Sequence, residues 1–285
     1  MFRFSRTRSP HTVRTATTVA FASVTAGCLL AVGTVSSSAT SHKAGSGKTK
    51  PTIVLVHGAF ADASSWSGVV QRLQRDGYPV VATANPLRGL SSDTAYLRSV
   101  LDTVKGPMIL VGHSYGGSVI SQAAVGDPHV KALVYIAAFI PNVGESAGEL
   151  AAKFPGSTLG ETLDTASYPL PDGGTGTELT IQQNKFRQQF AADVPASTAA
   201  VMAAAQRPVS TLALEEEATK AAWKDIPSYS LIAGKDYNIP PKAEQWMAER
   251  AHARTVTIDR ASHAVAVSHP AAVTDFILRA ACDVR

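Results

Sequence analysis

The sequence predicts an α/β domain: a mostly parallel, doubly wound sheet with helices on both faces and a helical lid inserted late in the chain. Three observations carry that prediction. Short aliphatic runs recur, each followed by a segment of helical period. Two of these runs end directly in histidine–glycine or glycine–histidine turns. The alternation stops between Pro141 and about Asp225 and then resumes. With 285 residues, 45% of them hydrophobic and 17% charged, the chain falls among ordinary globular proteins. About 250 residues close one sizeable core, so one domain carrying an insertion is expected.

Residues 1–39 are expected to be a secretory signal peptide. Four arginines (Arg3, Arg6, Arg8, Arg14) precede a 17-residue apolar stretch, Val19–Val35, and then the small residues Ser36-Ser-Ser-Ala39, with cleavage near Ala39. That stretch is diluted by Thr, Ser and Gly and is marginal for about 30 Å of hydrocarbon, so no stable membrane span is expected once it is removed. Lipid anchoring at Cys28, in Thr25-Ala-Gly-Cys28, is the minor alternative. Residues 40–50 read as a flexible tether. Their Gly45-Ser-Gly-Lys-Thr49 lacks the earlier glycine of a phosphate loop (His42 stands there) and precedes a strand instead of a helix.

The leader's arginines explain the basic balance. Without residues 1–39 the chain has 22 basic and 22 acidic side chains, which leaves no electrostatic footprint for nucleic acid. The two cysteines, Cys28 and Cys282, exclude a disulfide scaffold and a cysteine-rich zinc module.

From residue 51 the elements follow in order. Ile53–Val56 reads as a strand buried on both faces. Trp66, Val69, Val70 and Leu73 mark a helix stopped at Gly77. Val80–Ala82 is a brief strand, and Tyr96 to Val104 mark a helix capped by Ser92 or Asp93. Met108–Val111 and Leu133–Ile136 are strands with a helix between them. The insertion, about 141–225, shows helical patches at Glu145–Lys153, Glu178–Phe190, Ala196–Gln206 and Leu212–Trp223, and no strand is expected in it. The sheet then resumes with Tyr229–Ala233, helix Lys242–Ala251, strand Thr255–Ile258 and a last helix ending near Ala281.

The chemical signal is Gly112-His-Ser114-Tyr-Gly116, a Gly-x-Ser-x-Gly turn between a strand and a helix. Such a turn holds serine in a strained backbone conformation and lifts its hydroxyl clear of the sheet; a Cβ at either glycine would strike neighbouring backbone. A serine hydroxyl needs a base. Of eight histidines, His263 sits in the loop after the last strand, where it can reach over the sheet's C-terminal edge. His269, at the start of the final helix, is the alternative, while His57 and His113 read as structural. The carboxylate that orients the base is Asp236, just after strand Tyr229–Ala233; Asp225 lies on the wrong edge and Asp259 is too near His263 in sequence. An oxyanion needs donors, expected to be the backbone N–H groups of Tyr115 and Ala59, with Phe60 N–H in reserve.

The order Ser114, Asp236, His263, with His57-Gly-Ala-Phe60, Trp66 and Ala137-Ala-Phe-Ile-Pro-Asn-Val-Gly-Glu-Ser146, resembles the α/β-hydrolase family. More narrowly, it is similar to the small esterases related to plant methyl-ester esterases and hydroxynitrile lyases. The resemblance covers roughly residues 51–282. It implies an α/β-hydrolase fold, a lid over the sheet, no cofactor, no metal and a small-molecule ester as partner. The related lyases carry a threonine after the first-loop histidine and a lysine after the catalytic one; Gly58 and Ala264 stand here, which disfavours cyanohydrin cleavage. A serine at position 114 likewise excludes the aspartate-nucleophile hydrolases.

The expected activity is therefore that of a secreted serine carboxylic-ester hydrolase acting on a small to medium neutral ester through an acyl-enzyme. The same triad could serve cofactor-free perhydrolysis, lactone opening or C–C bond hydrolysis, and a non-catalytic binding protein is the remaining alternative. Phe60, Phe139, Phe186, Phe190 and Met202, with Phe154 and Trp223, are candidates for the substrate pocket, against the alternative that they pack the lid onto the sheet.

Overall fold

A computed structural model describes residues 49–284. The signal-peptide and Cys28 readings, and nearly all of the tether, lie outside the described residues. Six strands form one sheet: β1 (Thr52–Val56), β2 (Val80–Thr83), β3 (Met108–Ser114), β4 (Val130–Ala138), β8 (Ser228–Ala233) and β9 (Arg254–Ile258). Their order is β2-β1-β3-β4-β8-β9, and every neighbouring pair is parallel. The chain enters at β1, steps outward to β2, then crosses back to β3. The order thus reverses at the C-terminal ends of β1 and β3, where α/β sheets place ligands.

The aliphatic runs form strands because both of their faces are covered. Every residue of β1 and β3 is buried. Ile53, Leu55, Ile109 and Val111 pack with α1 (Ser67–Arg75) and α10 (Pro270–Asp283) on one face. Val54, Val56 and Leu110 pack on the other face with α2 (Leu90–Leu101), α3 (Tyr115–Ala123) and α8 (Pro241–Arg250). Each such side chain contributes about 1.5–3 kcal/mol through burial. Among the described residues no helix is long and apolar enough to cross a membrane.

Two sequence expectations within this frame need correction. Neither Ser92 nor Asp93 caps α2: the N-cap is Gly89, and both Asp93 oxygens accept the Arg88 N–H at 3.1 and 3.2 Å. Tyr96 faces outward, 42% exposed.

The larger correction concerns the insertion, which is not wholly helical. It holds α4 (Ala147–Ala152), α5 (Gln183–Phe190), α6 (Ala196–Ala205) and a short α7 (Thr211–Glu215). It also holds an antiparallel sheet of β5 (Leu163–Pro169), β6 (Thr175–Ile181) and β7 (Val209–Ser210). Glu178–Ile181, read as the start of a helix, pairs with Leu163–Ala166 as strand. Most of β5 is exposed, so its polar residues show no apolar alternation. Leu212–Trp223 shrinks to one α-helical turn and a separate 3-10 turn at Ala222–Lys224. At its base the insertion is held to α8 by Arg250, which donates to both Glu145 oxygens (2.5 and 2.8 Å) and to the Ile140 carbonyl.

Candidate active site

Strand β3 runs straight into α3 through Ser114, whose φ of 54° and ψ of −124° lie in a region that non-glycine residues rarely occupy. The turn closes because its neighbours lack side chains. A Cβ on Gly112 would come within 2.6 Å of the Gly116 backbone, and one on Gly116 within 2.5 Å of the Val56 carbonyl oxygen. Gly58 completes the fit: its Cβ would sit 2.5 Å from Ser114 Cβ and 3.1 Å from Oγ. The loop after β1 therefore lies directly against the serine.

Strand β8 ends at Ala233, and Asp236 follows in a tight turn. Its Oδ1 accepts the backbone N–H groups of Asn238 (2.7 Å) and Ile239 (3.0 Å), leaving Oδ2 for His263 Nδ1 at 2.5 Å. His263 stands in the turn between β9 and α9 (Val265–Ser268). Both side chains are buried, 0 and 1% exposed, so the pair is shielded from water and from salt. The imidazole is held on two sides, by the edge-on Phe190 ring at 4.9 Å and by the His113 ring at 4.7 Å. The Phe190 carbonyl also accepts the Ala264 N–H, so the insertion fixes the loop that bears His263.

Ser114 and His263 line one cavity of about 90 Å³, with Ala59, Phe60, Tyr115, Phe139, and with Asn238 and Ile239 beside Asp236. Ala147, Gly148 and Ala151 of α4, Leu159 and Leu214 form its roof. No hydrogen bond joins Ser114 Oγ to His263 among the described residues. Ala59 and Tyr115 both face this space, and their N–H groups, like that of Phe60, have no backbone acceptor among the described residues. The Tyr115 N–H also opens α3, where the helix dipole favours negative charge.

His57 and His113 are held by hydrogen bonds of their own. His57 Nδ1–H donates to the Gly58 carbonyl and its Nε2 accepts the Asn85 N–H, which selects one tautomer. Burial, the largest influence, and the positive Arg207 pull its pKa below the ordinary value. His113 Nε2–H donates to the His263 carbonyl, and burial, then the charge of His263, holds it well below the ordinary range, so it stays neutral. His269 bonds to Ser268 and faces Asp193 at 3.4 Å instead of lining the cavity.

Of the pocket candidates, the structure places Phe60 and Phe139 on the cavity and corrects the others. Phe186 and Phe190 are stacked on each other and fully buried, acting as a wall behind His263. Met202 lines a separate open trough of about 300 Å³ with Phe60, Thr198 and Val201. Phe154 lies against Trp246, and Trp223 donates its indole N–H to the Pro141 carbonyl. The α4 wall was missed because small residues have no signature in a sequence. The Asp236 turn was readable, since an aspartate two residues before Asn-Ile-Pro-Pro is positioned to accept backbone N–H groups.

Comparison with known proteins agrees with this architecture. Residues 53–276 match the family model described as "Alpha/beta hydrolase family". An alpha/beta hydrolase from Aspergillus novofumigatus is 28% identical over 253 residues, covering 81% of this chain and 97% of that protein. The crystal structure of polyneuridine aldehyde esterase superposes with a TM-score of 0.70 at 19% identity, covering 81% of this chain and 99% of the other. A methylesterase from Arabidopsis superposes at 0.68 and 17% identity, covering 82% and 99%. The chain belongs to the alpha/beta hydrolase family and is an enzyme of the hydrolase class.

Proposed function

We propose that the protein is a secreted serine carboxylic-ester hydrolase acting on a small neutral ester. One observation carries the reading: a strained serine opens into the same small, mostly apolar cavity as a histidine whose far nitrogen is held by a buried aspartate. In the reaction, Ser114 Oγ attacks the acyl carbon while His263 takes its proton. Asp236 keeps the imidazole in one tautomer and stabilises its cationic form. The oxyanion is received by the N–H groups of Ala59 and Tyr115. His263 then protonates the departing alcohol, and a water activated by the same imidazole releases the acid from Ser114.

A cavity of about 90 Å³ is far below the 300 Å³ at the lower end for drug-sized ligands, which favours a short acyl group. Two relatives named as esterases by their own descriptions, from Nocardioides and Arabidopsis, support ester chemistry. Cyanohydrin cleavage finds no support: Gly58 and Ala264 stand where the related lyases carry threonine and lysine. Export is supported by the arginine-led apolar leader.

The test is Ser114→Ala measured on short p-nitrophenyl esters. Turnover is expected to fall by about 10⁴-fold or more with the circular dichroism spectrum unchanged. Unchanged turnover would sink the assignment.

A further inference from the structure

Glu244 lies on α8, the helix that begins just after the Asp236 turn, and is 1% exposed. Neither of its carboxyl oxygens meets an N–H or O–H at hydrogen-bonding geometry. The side chain it does meet is Asp236. Both are acceptors when ionised, so a buried contact between them is repulsive unless one holds a proton. Asp236 is the poorer candidate for that proton. Its Oδ1 already accepts two backbone N–H groups and its Oδ2 accepts His263 Nδ1–H, all of which favour its charged form. Glu244 has only a weaker pull from the Ala233 backbone.

We propose that Glu244 is a positioning residue of the triad, its protonated carboxyl donating a hydrogen bond to the Asp236 carboxylate. The inference rests on the triad reading above. Burial, followed by the negative charge of Asp236, pushes the Glu244 pKa well above the ordinary carboxylate range, with only a smaller opposing pull from the Ala233 backbone. The titratable groups around the pair are Asp236 after β8, His263 after β9 and His113 behind His263 at the end of β3. A neutral donor on Asp236 withdraws negative charge from the oxygen that holds the imidazole. Removing that donor should therefore strengthen the pull of Asp236 on the imidazole and move the acid limb of the reaction upward.

The test reads the acid limb of kcat/KM in three proteins. Glu244→Gln keeps a neutral donor and should leave the limb in place. Glu244→Met removes the donor at similar volume and should move the limb upward by about half a pH unit. A downward shift in Glu244→Gln would show that Glu244 is ionised, and an unmoved limb in Glu244→Met would make it a spectator; either overturns the proposal. A measurement on the unaltered protein stands apart from activity. In carbon-13 spectra of glutamate-labelled chain, one carboxyl should stay protonated where the other glutamates are ionised and vanish in Glu244→Gln, and its absence also overturns the proposal. Because that signal does not depend on Ser114, loss of the ester-hydrolase reading and loss of this one remain distinguishable.

Discussion

The sheet and the insertion are built by opposite uses of side chains. At the C-terminal edge of the sheet the design works by omission: Gly58, Gly112, Gly116 and Gly117 let β1, β3, β4 and α3 approach until a single added carbon would overlap. In the insertion, elements are joined by long polar side chains reaching across gaps. Arg88 pairs with Glu178 and lies over the Tyr168 ring, Arg250 clamps Glu145, and Gln206 brackets both backbone groups of Ile181. The first arrangement holds Ser114 by direct backbone contact, whereas the second holds the insertion through side chains that span the gaps between elements.

The same mutation made in each region should expose this difference. Gly117→Ala places a carbon 2.3 Å from the Phe139 carbonyl oxygen and 2.9 Å from Ala138 Cβ, with backbone on one side. It is expected to cost about 3 kcal/mol. Gly160→Ala, in the 3-10 turn Leu159–Thr162 of the insertion, meets nothing within 4 Å. It should stabilise by about 0.5 kcal/mol through the unfolded chain. Urea midpoints decide the matter; equal effects in the two regions would remove the distinction.

That contrast also explains what the sequence made legible. Strands β1, β3, β4 and β8 are buried along nearly their whole length, so they appear as aliphatic runs, with Ser114 ending β3 and Asp236 just after β8; His263 follows the more exposed β9. Strands β5 and β6 have wet faces and are built from Thr, Ser, Gly and Glu, a composition that hides their period. The cavity roof escaped for a related reason. Ala147, Gly148 and Ala151 matter for the volume they leave, and a missing volume is a property of the assembled fold alone. Glu244 escaped because an acidic residue on a helix reads as a solvated face, and only the tertiary arrangement reveals its burial.

Phe60 stands on the seam between the two regions. It follows β1, has a φ of 59°, and lines both the cavity at Ser114 and the trough beneath α6. Trimming the ring with Phe60→Leu should join the two spaces. The ratio of kcat/KM for octanoate over acetate p-nitrophenyl esters should rise about tenfold, near 1.4 kcal/mol of transition-state preference. If the chain-length profile stays fixed while turnover survives, the roof alone sets the acyl limit and the trough takes no part.

The smallest expected effect belongs to the clamp at the base of the insertion, where acidity can act on one region without the other. Burial pushes the Glu145 pKa up, but the Arg250 guanidinium and the Asn142 N–H outweigh it and hold the carboxyl below its ordinary 4.5. A depressed folded value means that the clamp stabilises the protein fully above pH 4.5 and is lost as pH falls through the lower folded pKa. The group is only partly buried, so solvent screening keeps the contribution well under about 1 kcal/mol. Corrected hydrogen-exchange rates at Gly144 and Ala218, whose backbone bonds flank the clamp, should rise between pH 5 and 3 before those of β3. In Glu145→Gln the same amides should exchange faster at pH 7 and show no further acid step. An acid step that persists in Glu145→Gln would mean that another carboxylate governs the loosening. The physical reason to expect none is local: Glu145 is the carboxylate that accepts both Arg250 nitrogens while Arg250 also holds the Ile140 carbonyl, so protonating it releases that anchor and leaves the glycine-packed edge untouched.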